Sequence, residues 1–428
     1  MPNLLPHHLK STLTKLFIPD IRQMPDRRYD LDWLRVIAFG LLILFHCGMF
    51  YVENWGWHVK SQYQSALLEN IMLIVEPWRM ALLWLISGIA IRFIIAKVSV
   101  WHFISMRSLR ILLPLLFGIL VVVPPQLYVE MTVNGDINMN YWQFLKAFFS
   151  NSSGVFDNYQ SGIWPHIDVN HLWFLRSLWQ YSLLILCLLP VLNSAKITSA
   201  VNWLFRQPGA LAILLATLPI FIIQINWPMN TVRYPLGFTF MLYGYLIGWQ
   251  PNFWQRLTSN LGWLSSSFAV AFICFIYFYN QVWLFEQANP NSHDAWLLML
   301  GMFNYSLLRI LGALVLFAIA YKMLNKNSPT LSYLNNAVYP FYILHQSFIV
   351  VIGYQLSNYH LGAFIEASLL IFATIISCFI SYEIIKRINL LRPCFGLKMR
   401  PFKRQISQRF AYTITLLMVL PIGIEILI

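Results

Sequence analysis

The chain is 428 residues long, 58% hydrophobic and only 11% charged, with a mean hydropathy of +0.61. Soluble domains carry about 25% charged residues, so the composition excludes a soluble globular protein and points to one that crosses a membrane many times. A net charge of +13 would suggest a nucleic-acid partner in a soluble chain, but here the basic residues stand between apolar segments and read as topology signals, so no nucleic acid is expected.

Residues 1–32 are polar and mixed in charge. Leu4, Leu5, Leu9, Leu13, Leu16 and Phe17 would form the apolar stripe of an interfacial helix, and a partly disordered tail fits equally well. The first long apolar run begins near residue 33, so no cleavable signal is expected. Ten apolar stretches follow, at roughly 33–52, 78–96, 111–130, 172–193, 209–226, 234–250, 262–281, 299–321, 334–354 and 362–385. They predict an all-α fold, a polytopic bundle of about ten transmembrane helices. A single domain over 33–392 would lie between a cytoplasmic segment, 1–32, and a basic segment with an apolar tail, 393–428. Residues 409–428 are long enough for an eleventh span or would lie on the membrane surface.

The loops orient the bundle. Segments 97–110, 195–208, 250–261, 322–332 and 386–404 carry 15 Lys and Arg and no acid. The alternate segments hold only Lys60, Lys146 and Arg233 against eight acids. The basic set is therefore predicted to be cytoplasmic, with both ends of the core on that side. In the largest outer loop, 131–170, Tyr141–Phe149 is amphipathic and suited to the outer interface. The five cysteines show no CxxC spacing, so neither a zinc site nor a disulfide framework is expected.

The residues with chemistry stand inside the apolar runs. Arg35 and His46 share Trp33–Val52, eleven residues and roughly 16 Å apart along a helix. Ionisable groups in lipid are costly and mark functional interiors. An imidazole can act as a base near neutral pH, and a guanidinium can hold phosphate or carboxylate. The plain alternative is a packing histidine and a snorkelling arginine. Asp32 would pair with Arg35 or cap the helix. Arg107 and Arg110, near Lys97, would clamp a phosphate-bearing donor or serve only as topology signals. Arg79 stands at an outer helix end, where no arginine is expected. It would pair with Glu76 or hold an anion. His345 is a second deep imidazole and a candidate for the cavity of His46. His171, beside Trp173, and His58, beside Trp57, would contact an acceptor or anchor the interface. Arg176, Arg309 and Glu366 are also intramembrane and would pair with one another or line a route.

These stretches together resemble the acyltransferase-3 family of membrane acyltransferases. Arg35 and His46 match its R-x10-H pattern, and Arg107 and Arg110 match its RxxR. The likeness is greatest to the branch linked to succinylation of periplasmic glucans. It runs through LDWLR…FH, WHVKS, RMALLWLISG, NHLWFL, YPFYILHQ and YEIIKRINLL, from about residue 28 to 392. Where many members read HLWSLSVEEQFY this chain reads HLWFLRSLWQYS, without the acidic pair, a departure that favours the glucan branch.

The resemblance implies transfer of an acyl group, succinyl in that branch, from cytoplasmic acyl-CoA to a hydroxyl of an extracytoplasmic carbohydrate. It implies His46 as catalytic residue and Arg35, Arg107 and Arg110 at the donor. Acyl-CoA would be a substrate, and no bound cofactor is expected. The protein would reside in the cell inner membrane. His46 would act as general base or carry the acyl group itself. The competing reading is an exporter of a glycan or lipid-linked intermediate, against which the absence of a visible inverted repeat counts.

Overall fold

The computed structural model describes residues 27–150, 154–156, 159, 169–248 and 250–400. The leucine stripe expected before residue 18 and the apolar stretch 409–428 lie outside the described residues. Among the described residues there is no strand, and the fold is all-helical.

The helices are α1 (Tyr29–Met49), α2 (Ala66–Met72), α3 (Glu76–Ile95), α4 (Val100–Phe117), α5 (Pro124–Asn134) and α6 (Tyr141–Phe148). After a short turn at Asn170–Leu172 come α7 (Trp173–Leu192), α8 (Ala195–Arg206), α9 (Gly209–Asn226), α10 (Arg233–Ile247), α11 (Pro251–Ser259) and α12 (Leu261–Phe278). The last five are α13 (Leu284–Ala288), α14 (Ala295–Met323), α15 (Pro329–Ser357), α16 (Ala363–Arg387) and α17 (Leu391–Cys394). A π-helical turn, Gly118–Val122, joins α4 to α5, where Pro124 and Pro125 occupy positions that need no intrahelical N–H. After α5 the Asn140 side chain caps α6, and Phe144 and Phe148 form its buried face.

Nine helical segments among the described residues are long and apolar enough to cross a membrane. The expected sixth span, 234–250, is the 15-residue α10. At roughly 22 Å it falls short of a bilayer core of about 30 Å.

The chain divides into two compact units. Among the described residues, the first holds 27–38, Asn70–Phe103 and Tyr181–Leu331. Here α3 and α10 meet backbone to backbone: a Cβ on Gly88 would lie 2.0 Å from Met241 O, and one on Gly244 would lie 2.1 Å from Leu85 O. Small residues permit such contact, which is how helices associate in lipid without a hydrophobic drive.

The second unit holds Phe39–Glu69 and the described residues of 104–180 and 332–400. Its core joins Ile43, Cys47 and Phe50 of the first helix and the turn after it to Val129 of α5, Ile349 and Val350 of α15 and Leu370 of α16. The polar groups described next are set into this core.

A histidine network as candidate active site

His46 projects from the last turn of α1 and is half-buried. Its Nδ1 lies 2.8 Å from Nε2 of His345, which is wholly buried midway along α15. The rings are nearly parallel, 6° apart, and the Trp57 ring lies 5.3 Å from that of His46. Nδ1 of His345 faces the carbonyl oxygens of Tyr342 at 2.8 Å and Phe341 at 3.2 Å. Carbonyl oxygens only accept, so His345 Nδ1 carries the hydrogen. With both rings neutral, His345 Nε2 is the acceptor and His46 donates through Nδ1. The basic lone pair of His46 is therefore on Nε2.

Two further imidazoles belong to the same network. His58 Nδ1 contacts Glu130 Oε2 at 2.5 Å. The Gln346 amide nitrogen donates to His58 Nε2 at 2.8 Å and to Asn170 Oδ1 at 3.0 Å. His58 thus accepts at Nε2 and donates from Nδ1 to the carboxylate. Asn170 has φ +45°, a left-handed backbone that asparagine tolerates better than most residues.

His171 is buried, with its ring 5.5 Å from that of His345. It donates from Nε2 to Ile343 O at 2.9 Å and accepts at Nδ1 from Gln126 at 3.5 Å. Its own carbonyl accepts from Tyr342 Oη at 2.6 Å. Both its nitrogens and its carbonyl therefore hold the Asn170–Leu172 turn to α15 and α5. Gln126 also donates to Ser347 Oγ at 2.6 Å, and Ser347 donates to Val122 O at 2.5 Å, at the end of the π-helical turn.

The structure thus gathers His46, His345, His171 and His58 into one group. Residues the sequence reading did not single out complete it: Gln346, Glu130, Asn170, Gln126 and Ser347. Two of these adjoin expected histidines, Gln346 after His345 and Asn170 before His171. Glu130 is a carboxylate at the end of an otherwise apolar run. Just past His46, Lys60 donates to Met49 O at 3.0 Å and Val52 O at 2.6 Å, closing the end of α1. Burial lowers the pKa of its ammonium, and the Glu69 carboxylate opposes that shift.

The arginines are distributed differently. Arg107, half-buried, and Arg110, exposed, stand on α4 in the unit of the histidines. Tyr339 Oη donates to Arg110 O at 3.0 Å. Tyr339 precedes His345 by six residues, roughly 9 Å along α15. Arg35 belongs to the first unit and meets Asp32 at 3.4 Å, the pairing expected from their spacing. Arg79 is also in the first unit, within reach of the Glu76 charge. Glu76 itself accepts from Tyr305 Oη at 2.7 Å. Arg309 lies over the Tyr305 ring and donates to Gln224 at 2.6 Å, while Glu366 accepts from Ser61 at 2.6 Å. Arg309 and Glu366 thus have polar partners of their own, in different units, instead of the mutual pairing considered from the sequence.

A family model described as an acyltransferase domain matches residues 28–383. The chain belongs to the acyltransferase-3 family. Glucans biosynthesis protein C of Salmonella typhimurium is 25% identical over 408 residues, covering 89% of this chain and 97% of that protein. The protein of the same name from Salmonella typhi is 25% identical over 401 residues, covering 87% and 95%. These are the relatives expected from the six matched stretches. No solved structure matches. A multi-pass membrane protein with an acyltransferase domain follows from the match and the helices.

Proposed function

We propose that this protein is an O-acyltransferase that moves an acyl group from cytoplasmic acyl-CoA to a hydroxyl of an extracytoplasmic glucan, with His46 as general base. The observation that carries the reading is the His46–His345 pair, whose tautomers leave the basic lone pair on His46 Nε2. The relatives' names support glucan as the acceptor class. A succinyl group is the proposed acyl unit.

The steps follow from that lone pair. The acceptor hydroxyl attacks the thioester carbonyl while His46 Nε2 takes its proton. The tetrahedral intermediate collapses, the C–S bond breaks, and the leaving thiolate recovers the proton from His46. An ester and a free thiol result. While His46 is an imidazolium, its Nδ1–H donates to neutral His345, and a hydrogen bond from a charged donor is stronger than a neutral one. His345 in turn donates to the Tyr342 and Phe341 carbonyls, which polarise it in the favourable direction.

Loop charge supports an orientation with Arg107, Arg110 and Arg35 towards the cytoplasm and His46 farther out. In this reading Arg107 and Arg110 bind the phosphates of the donor, with Arg35 on the same side. The membrane is then the cell inner membrane.

The test replaces His46 by Ala in cells lacking the native copy and follows extracytoplasmic glucan by mass spectrometry. The expected result is loss of the acyl mass with glucan export unchanged, and a fall in transfer rate on the order of 10²–10⁴ with purified protein. Loss of glucan from the outside would overturn the enzyme reading in favour of an exporter.

A further inference from the structure

The first unit contains a cavity of about 340 Å³ with almost wholly apolar walls. This is within the range of small-ligand pockets, roughly 300–1,000 Å³. The opening has a cause in the sequence. On α9 it is lined by Ala212, Ile213, Leu215, Ala216 and Pro219, of which Ala212, Ala216 and Pro219 stand at i, i+4 and i+7 as a stripe of small side chains. Leucines on that stripe would fill the space. Tyr243 contributes a ring, and its hydroxyl donates to Ala216 O at 3.0 Å, so this polar atom is already matched.

The helices next to it are basic. One wall is α8, an amphipathic helix whose Leu204 and Phe205 face the cavity. Arg256 of α11 fastens this wall by donating to Phe205 O and, at 2.8 Å, to Gln207 O. Lys196 and Arg206 of α8 remain exposed, and residues 195–208 and 250–261 contain no acid. Trp203 and Trp263 are exposed beside them, 55% and 44%, as tryptophans are at the level of lipid headgroups. An apolar slot beside a basic helix matches an anionic glycerophospholipid, with one acyl chain inside and the phosphate at Arg206, next to the lining Phe205, while Lys196, about 15 Å away along α8, adds to the positive potential. We propose that this cavity is a binding site for an anionic phospholipid. The acyltransferase reading plays no part in the argument.

The test places the full-length protein in phosphatidylethanolamine bilayers with a phosphatidylglycerol probe carrying a photoreactive group near the end of one acyl chain. Cross-linked peptides should map to residues 201–219 or 240–253. Ala216→Trp, with Ala212→Phe as a second cavity-filling variant, should lower labelling there on the order of ten-fold, the effect of excluding about two methylenes. Lys196→Ala with Arg206→Ala should lower it roughly ten- to thirty-fold, at about 1 kcal/mol per basic residue near an anionic headgroup. Both charged positions are exposed, so this double variant decides the matter if the cavity variants do not fold. Undiminished labelling of these peptides in any folded variant would overturn the proposal. So would equal labelling by a phosphatidylcholine probe.

Discussion

At His345 the two ring nitrogens have separate jobs, and substitution can tell them apart. Nδ1 is committed to the helix carbonyls of Tyr342 and Phe341, and Nε2 receives His46. In the proposed mechanism His345 is a positioning residue. Gln at 345 can still offer an oxygen to His46 Nδ1, whereas Phe offers none. His345→Phe should therefore lower the transfer rate towards that of His46→Ala, while His345→Gln should recover part of it. The measurement is the pH profile of the rate with purified protein: Phe should also displace the limb due to the base, because the imidazolium loses its acceptor. A Phe variant with an unchanged pH profile would reduce His345 to packing. Arg107 and Arg110 make a separate prediction. Changing both to Ala should weaken acyl-CoA binding, and it keeps the backbone oxygen at Arg110 that accepts from Tyr339. Unchanged calorimetric affinity for acyl-CoA would leave the two arginines as topology signals only.

At the scale of helices, the contact between α3 and α10 is set by two glycines from opposite partners. A methyl group at Gly88 would meet a backbone carbonyl, which cannot rotate aside as a side chain can. Gly88→Ala should therefore part the helices and cost about 1–3 kcal/mol, read as a lower midpoint in thermal unfolding in detergent. Gly40, around which nothing lies within 4 Å, is the control and should tolerate Ala at little cost. Much of this scale was legible from the sequence. The apolar runs located the helices, and the imidazoles of His46 and His345 were visible as expensive groups in lipid. Other features depend on contacts distant in the chain. Nothing in NHLWFL shows that His171 turns both nitrogens inward, because Gln126 and Ile343 arrive from other helices. The dyad of His58 and Glu130 joins residues 72 apart, and no local periodicity encodes that pairing. The π-helical turn before Pro124 likewise lies within an apolar run that reads as ordinary helix.

For the whole molecule the number of crossings turns on α10. Its apolar run continues to residue 250, but the helix ends at Ile247, and Pro251 opens α11. With only 15 residues α10 does not reach across a bilayer of ordinary thickness. Flanking residues and local thinning can accommodate such a mismatch at modest cost. The basic residues argue that it crosses: Lys196 and Arg206 lie before α9, and Arg256 follows α10, so a pair of spans between them restores the same side. Single cysteines in an otherwise cysteine-free chain decide this, read by a membrane-impermeant maleimide on intact cells. Met229→Cys and Asn358→Cys should label from outside; Gln255→Cys and Lys326→Cys should label only after the membrane is opened. If Gln255→Cys and Lys326→Cys both label from outside with Met229→Cys while Asn358→Cys does not, α10 is a re-entrant segment, because α12 and α14 then return the chain to the same side between 255 and 326. The basic loop at 250–261 would then lie on the wrong side for its charge. If Met229→Cys and Asn358→Cys label only after the membrane is opened while Gln255→Cys and Lys326→Cys label from outside, the orientation drawn from loop charge fails, and with it the placement of Arg107 and Arg110 at a cytoplasmic donor.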